Sequence, residues 1–229
     1  MPEPVTGPAA YFPSIEKKYG KPARGPAAGR DRSRMRKIIA GLFITLDGVV
    51  EAPEKWNPPY YDDEMSQAVM PLLAAAGTHL YGRRSYELFR SVFTGPAAPP
   101  HAQLMTSMPK LVVSATLDSP DWGPTTVIRG DVTAALTRLK EQPGGDIIVG
   151  ASGTLVGFLL HEGLLDELLL LVHPVIAGPG RRLFAGGDQN MPLTLTQAHA
   201  HRNGVVALRY TLGHGTVAPT FPEVSQCAS

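Results

Sequence analysis

Three short segments of the chain combine residue types that could hold a phosphorylated ligand. Tyr81-Gly82-Arg83-Arg84-Ser85-Tyr86 ends an apolar stretch, turns at glycine and opens a helical pattern with two arginines. A helix N-terminus is already the positive end of the peptide dipoles, so adjacent cations there are unfavourable unless an anion offsets them. The free N–H groups of a first turn and the Ser85 hydroxyl would complete a phosphate cradle. The alternative is two solvent-facing arginines with Ser85 as a simple cap. Val149-Gly150-Ala151-Ser152-Gly153-Thr154 follows another strand pattern and opens another helix. Its small residues let a backbone approach a diphosphate or a flat ring, or else serve only tight packing. It is neither G-x-G-x-x-G nor the G-x-S-x-G elbow. Val113-Ser114-Ala115-Thr116 closes a third strand with hydroxyl residues that could line a nucleotide or form a turn.

The elements that must position these segments follow from the apolar pattern. Lys37–Ile44, Thr78–Tyr81, Lys110–Ser114, Thr125–Ile128 and Asp146–Val149 are short, nearly continuous apolar runs, as in strands buried on both faces. Helices are predicted from the acids at 62–64 to Ala76 with Pro71 as a bend, over 86–93, from Asp131 to about Gln142, and over 152–162. A long strand is predicted over Glu167–Ile176. Leu193–His201 and Val205–Leu212 alternate around Asn203-Gly204, a hairpin signal. Strands alternating with helices predict an α/β sandwich whose mostly parallel central sheet ends in a C-terminal antiparallel hairpin. Ligands in such sheets sit at the carboxyl ends of the strands.

Composition bounds the rest. The chain has 229 residues, 43% apolar and 18% charged, with a formal net charge of +1. That balance gives no field for general nucleic-acid binding. No apolar run reaches the roughly 18 residues of a membrane span. The single cysteine, Cys227, makes no internal disulfide, so nothing argues for secretion, and a cytoplasmic location is expected. Residues 1–34 hold seven basic and three acidic side chains, a net +4, with six prolines and four glycines. This is the composition of a disordered basic tail, and Met35 is an alternative start. The expected organisation is that tail, a domain over 35–213 and a flexible tail over 214–229.

Taken in order, five segments resemble the dihydrofolate reductase-like superfamily, and more closely the C-terminal reductase domain of the riboflavin-biosynthesis deaminase/reductase. They are Met35–Glu51 with Thr45-Leu-Asp-Gly48, Tyr81–Glu87, Lys110–Leu117, Asp146–Gly150, and Gly163–Gly178 with Arg182-Leu-Phe184. The resemblance implies a three-layer sandwich and an NADPH site. Arg83, Arg84 and Ser85 after Gly82 match the motif that holds the 2′-phosphate and pyrophosphate. Ser114 and Thr116 fall at the adenosine end. Gly150, Ala151, Ser152, Gly153 and Thr154 fall where a glycine-rich turn holds the pyrophosphate near the nicotinamide. Two arginines favour NADPH over NADH, because an extra phosphate accepts bidentate hydrogen bonds.

Asp47 matches a substrate-facing acid in that resemblance and is the first candidate proton donor; an Asp-Gly turn residue is the other reading. Glu51 and Asp63 are the next candidates, with Asp62 and Glu64 beside them. His173, alone in an apolar strand, reads as a hydrogen-bonded core histidine. Folate is a doubtful substrate, because Tyr61 stands where the folate enzymes carry their acid and Met108-Pro109-Lys110 lacks their tail-binding arginine. No H-x-E…P-C-x-x-C pattern of a zinc deaminase exists. His199 and His201 share one strand face, read as solvated, and no metal site is expected. The expected activity is NADPH-dependent hydride transfer to a small heteroaromatic, imine or carbonyl compound, pterin-like or flavin-precursor-like. A non-catalytic NADPH-binding sensor or accessory subunit is the alternative, and related domains suggest a homodimer.

Overall fold

The computed structural model describes residues 35–96, 98–99, 101–184 and 191–213. The expected tails, 1–34 and 214–229, and Cys227 lie outside the described residues. One eight-stranded sheet organises the domain, in the order β4-β3-β2-β5-β1-β6-β8-β7. Its strands are β1 (Ile38–Thr45), β2 (Thr78–Gly82), β3 (Lys110–Val113), β4 (Thr125–Ile128), β5 (Ile147–Gly150), β6 (Glu167–His173), β7 (Leu193–Ala200) and β8 (Val206–Leu212). The first six pair in parallel, and β8 and β7 close the edge antiparallel. The described helices are α1 (Asp63–Ala74), α2 (Arg83–Thr94), α3 (Ala102–Ser107), α4 (Val132–Glu141) and α5 (Gly153–His161). None is long and apolar enough to cross a membrane.

The period-two alternation of β1 sorts the layers. Ile38, Ala40, Leu42 and Ile44 face one way into the core shared with Leu136 of α4 and Leu155, Val156 and Leu159 of α5. Ile39 and Phe43 face the other way onto α1, through Met70 and Leu73 and through Met65. Tyr81 and Val112 extend that second face under α2 and α3, where Trp122 is fully buried among Tyr86, Phe93 and Met105. The result is three layers, with the central strands apolar on both faces as their sequences predict.

Most boundaries shift by one or two residues, and four elements differ from the expectation more instructively. Helix α2 starts at Arg83, three residues early, so both arginines are inside its first turn. Strand β6 stops at His173 rather than Ile176, because Pro174 cannot donate to the ladder. Helix α3 was not expected; Lys110 donates to the carbonyls of Thr106 and Met108 and so closes its C-terminal end. Helix α1 runs through Pro71, which is exposed in the last turn, with Asp62 accepting from the Met65 N–H at its start.

Because β1 to β6 are parallel, their C-terminal ends rise on one crest of the sheet. All three segments that the sequence singled out lie there, after β2, β5 and β3.

Candidate functional site

The two glycine-bearing turns stand side by side, because β2 and β5 are neighbours, and hydroxyl groups join them. Ser152 Oγ donates to Ser85 Oγ at 2.6 Å, and Ser85 Oγ donates to the Ala151 carbonyl at 2.9 Å. The Gly82 N–H donates to Ser152 Oγ at 3.0 Å. Ala151 adopts φ 52°, which turns the chain sharply between β5 and α5. Neither helix is capped by its own side chain: Gly82 carries none, and Ser152 makes no capping bond. Two adjacent helix N-termini therefore keep first-turn N–H groups directed at the crest, an arrangement that fits a diphosphate.

Arg83 and Arg84 are exposed in that first turn. Arg83 pairs with Glu87 one turn along at 2.7 Å and donates to the Thr116 hydroxyl at 2.5 Å. The ends of β2 and β3 thus meet through a cation and a hydroxyl. Arg84 has no ion pair among the described residues. Ser114 is buried and accepts from the Thr116 and Leu117 N–H groups at 3.2 and 3.0 Å, so it shapes the turn that presents Thr116.

Asp47 is held by the loop that follows β6. Its Oδ1 accepts from Thr45 Oγ1 at 2.6 Å and the Ala177 N–H at 3.0 Å, and Oδ2 accepts from the Gly178 N–H at 2.9 Å. These bonds, led by that from Thr45, hold its carboxyl down at about 2. At neutral pH the group is a clasp in its ionised form, unsuited to donating a proton. Glu51 accepts from the Arg181 N–H at 3.0 Å and is exposed. Asp63 is exposed at the start of α1. The three acids named from the sequence therefore do not converge: one clasps a loop, one orders Arg181, and one opens a helix.

Asp47→Asn is expected to quicken hydrogen exchange at the Ala177 and Gly178 amides. A depressed carboxyl stabilises the fold above its unfolded pKa of 3.8, and the contribution is lost as pH falls towards 2. The variant's deficit in urea midpoint is thus full at pH 7 and shrinks at pH 3. A deficit that stayed constant down to pH 3 would count against the clasp.

Sequence reasoning missed Arg181. Its guanidinium donates to the Thr154 hydroxyl in the first turn of α5, on the opposite flank of the paired turns from Arg83. The readable signal was a second adjacent pair, Arg181-Arg182, after Gly-Pro-Gly; the geometry depends on a loop that returns over β1 through Val50 N–H to Arg181 O at 3.0 Å. Also missed was a shallow apolar cleft of about 90 Å³ below the crest, between α1 and α2. Phe43, Val50, Leu72, Phe89 and Leu171 line it, and the Gly150-Ala151 backbone forms one edge. No carboxylate is among its lining residues, and its one ionisable group, Tyr81, is kept protonated by burial.

His173 is the core residue that its apolar strand suggested. It is fully buried, edge-on to Phe43, Trp56 and Tyr60. Its Nδ1 lies 2.8 Å from the Leu171 carbonyl and its Nε2 2.7 Å from the Asn57 side-chain oxygen. A neutral ring with Nδ1–H donating to Leu171 needs a donor at Nε2. Rotating the Asn57 amide supplies it and satisfies the otherwise unpartnered Asn57 Nδ2.

Sheet order, layers and paired crest turns define a protein with the dihydrofolate reductase-like fold. The chain belongs to the RibD C-terminal domain family, whose profile matches residues 36–207. It is 28% identical over 181 residues to the uncharacterized protein YyaP of Bacillus subtilis (strain 168), covering 77% of this chain and 95% of that one. Among solved structures, a putative riboflavin biosynthesis protein from Shewanella superposes with TM-score 0.62 at 15% identity, covering 77% of this chain and 99% of that chain. The dihydrofolate reductase of Enterococcus faecalis, solved with NADP(H), superposes with TM-score 0.54 at 12% identity over 78% of this chain and 98% of that chain.

Proposed function

We propose that this protein is an NADPH-dependent reductase of a flat heteroaromatic, imine or carbonyl compound. The observation that carries the reading is the pair of uncapped helix N-termini on β2 and β5, joined through Ser85 and Ser152 and flanked by arginines. In this reading Arg83, with Thr116, and Arg84 hold the 2′-phosphate end. The first-turn N–H groups of α2 and α5, with Arg181 through Thr154, hold the diphosphate. The bound coenzyme would supply a hydride. The chain's own part is to anchor the phosphates, to offer the Gly150-Ala151 backbone as a flat edge, and to exclude water with Phe43, Leu72 and Leu171.

With no carboxylate lining the cleft, the accompanying proton comes from solvent at the cleft's open mouth, away from the apolar floor, and a 2-aminopyrimidine edge finds no anionic partner there. This favours a quinonoid, imine or carbonyl acceptor over a pterin. The same observation gives weight to a second reading, a nucleotide-binding protein without turnover.

Stopped mixing with NADPH and a panel of quinones, imines, pterins and ribityl-aminopyrimidines separates the two. Oxidation above background, with NADPH preferred to NADH, is the expected result. Tight NADPH binding with no oxidation across the panel favours the binding protein, and no NADPH binding overturns both.

A further inference from the structure

The sequence pattern puts His199 and His201 on one face of a strand, expected to meet solvent; in the structure His199 is in β7 and His201 lies just past its end. His201 instead has a side chain only 2% exposed, and neither ring nitrogen has a hydrogen-bond partner. Its Nδ1 lies 3.7 Å from Glu64 Oε1 in the first turn of α1, and His199 Nε2 lies 3.4 Å from the same oxygen. Both separations are long for a charge-assisted hydrogen bond. Ligand atoms that share a tetrahedral zinc ion with bonds of about 2.0–2.1 Å lie roughly 3.3–3.5 Å apart; the His199 separation falls there, and the His201 separation would close by a few tenths of an ångström on binding.

We propose that Glu64, His199 and His201 bind one first-row divalent cation, with zinc the best fit, and so tie α1 to the end of β7. One ligand atom from each residue lies within 4.8 Å of the other two. The imidazole rings stand edge-on at 89°, with centroids 4.8 Å apart. The second carboxylate oxygen of Glu64 accepts the Arg202 N–H at 3.2 Å, which fixes the group with Oε1 turned to the histidines. Two imidazoles and one carboxylate suit zinc, cobalt or nickel rather than magnesium or calcium, which take oxygen ligands. Lys37 and Arg209, which line the same groove, both pair with Glu167, and the Arg202 charge acts on Glu64 from the turn beyond β7. His199 is 56% exposed, and all three residues line a groove of about 810 Å³. Three protein ligands with such an opening leave the fourth position to water.

The test uses the full chain without an affinity tag, stripped with chelator and titrated with Co2+ and Zn2+. The expected result is one equivalent bound, the visible absorption of a four-coordinate cobalt site, and a thermal midpoint raised by several degrees at saturating zinc. His199→Ala, at an exposed position, abolishes both signals while the far-ultraviolet circular dichroism is retained, and Glu64→Gln weakens both. These two variants decide the matter even where His201→Asn fails to fold. A wild type that binds no cobalt below millimolar concentration, or binding that survives His199→Ala unchanged, overturns the site.

Discussion

Arg83→Ala combined with Arg84→Ala is expected to weaken NADPH binding by about 10²- to 10⁴-fold and to erase any preference over NADH. Each arginine replaced removes charge-assisted hydrogen bonds worth about 1.5–3 kcal/mol, hence two to four decades for the pair at about 1.4 kcal/mol per decade. The fold loses far less. Both side chains are exposed, and the one ion pair involved, Arg83 to Glu87, is a surface contact one turn apart, worth about 0.3–0.5 kcal/mol. Affinity, measured by fluorescence titration, thus separates from stability, measured by urea unfolding. Glu87 sharpens the test. In the free protein it occupies Arg83, so Glu87→Gln releases the guanidinium and is expected to tighten NADPH binding a few-fold. Unchanged affinity in the double alanine variant would remove the phosphate assignment.

The parts of this architecture written in local pattern were readable in advance, and those made by distant segments were not. Ile38–Ile44 and Ile147–Val149 are apolar at every pleat position, which only a sheet covered on both sides accommodates, so the three layers follow. The crest turns were readable because glycine, arginine and serine interrupt those runs at a strand end. Asp47 was not readable. Its short-range surroundings suggest either a turn or an acid, and the donors that decide between them, Ala177 and Gly178, arrive from 130 and 131 residues away. Arg181 reaches Thr154 only because the loop after β6 crosses back over β1. His199 and His201 displayed their common face, but the burial of His201 and the approach of Glu64 depend on how α1 packs beside the hairpin. Helix α3 is six residues, too short to show an apolar period, and rests on Met105 packing beneath Trp122.

Gly153→Ala addresses the link between the crest and the cleft. A Cβ at this first residue of α5 would lie 2.6 Å from Val50 Cγ2, whereas carbon atoms settle at about 3.5–4.0 Å. Val50 or the helix start must therefore yield by about 1 Å. Helix propensity alone would make alanine the more stable choice, so little net change in thermal midpoint is expected. Function is the sensitive readout, since Val50 lines the cleft and Gly153 opens the turn assigned to the diphosphate. A displacement of about 1 Å at a positioned reactive geometry costs on the order of 10²-fold, and that loss is expected in kcat/KM, with a smaller loss in NADPH affinity. Val50→Ala removes the colliding methyl groups. Alone it should cost a few-fold through a looser cleft, yet in the Gly153→Ala background it should restore most of the lost rate, a strongly non-additive cycle between two residues in contact. Additive losses would mean that the turn and the cleft act independently, and the coenzyme would then have to meet its acceptor somewhere other than beside Val50.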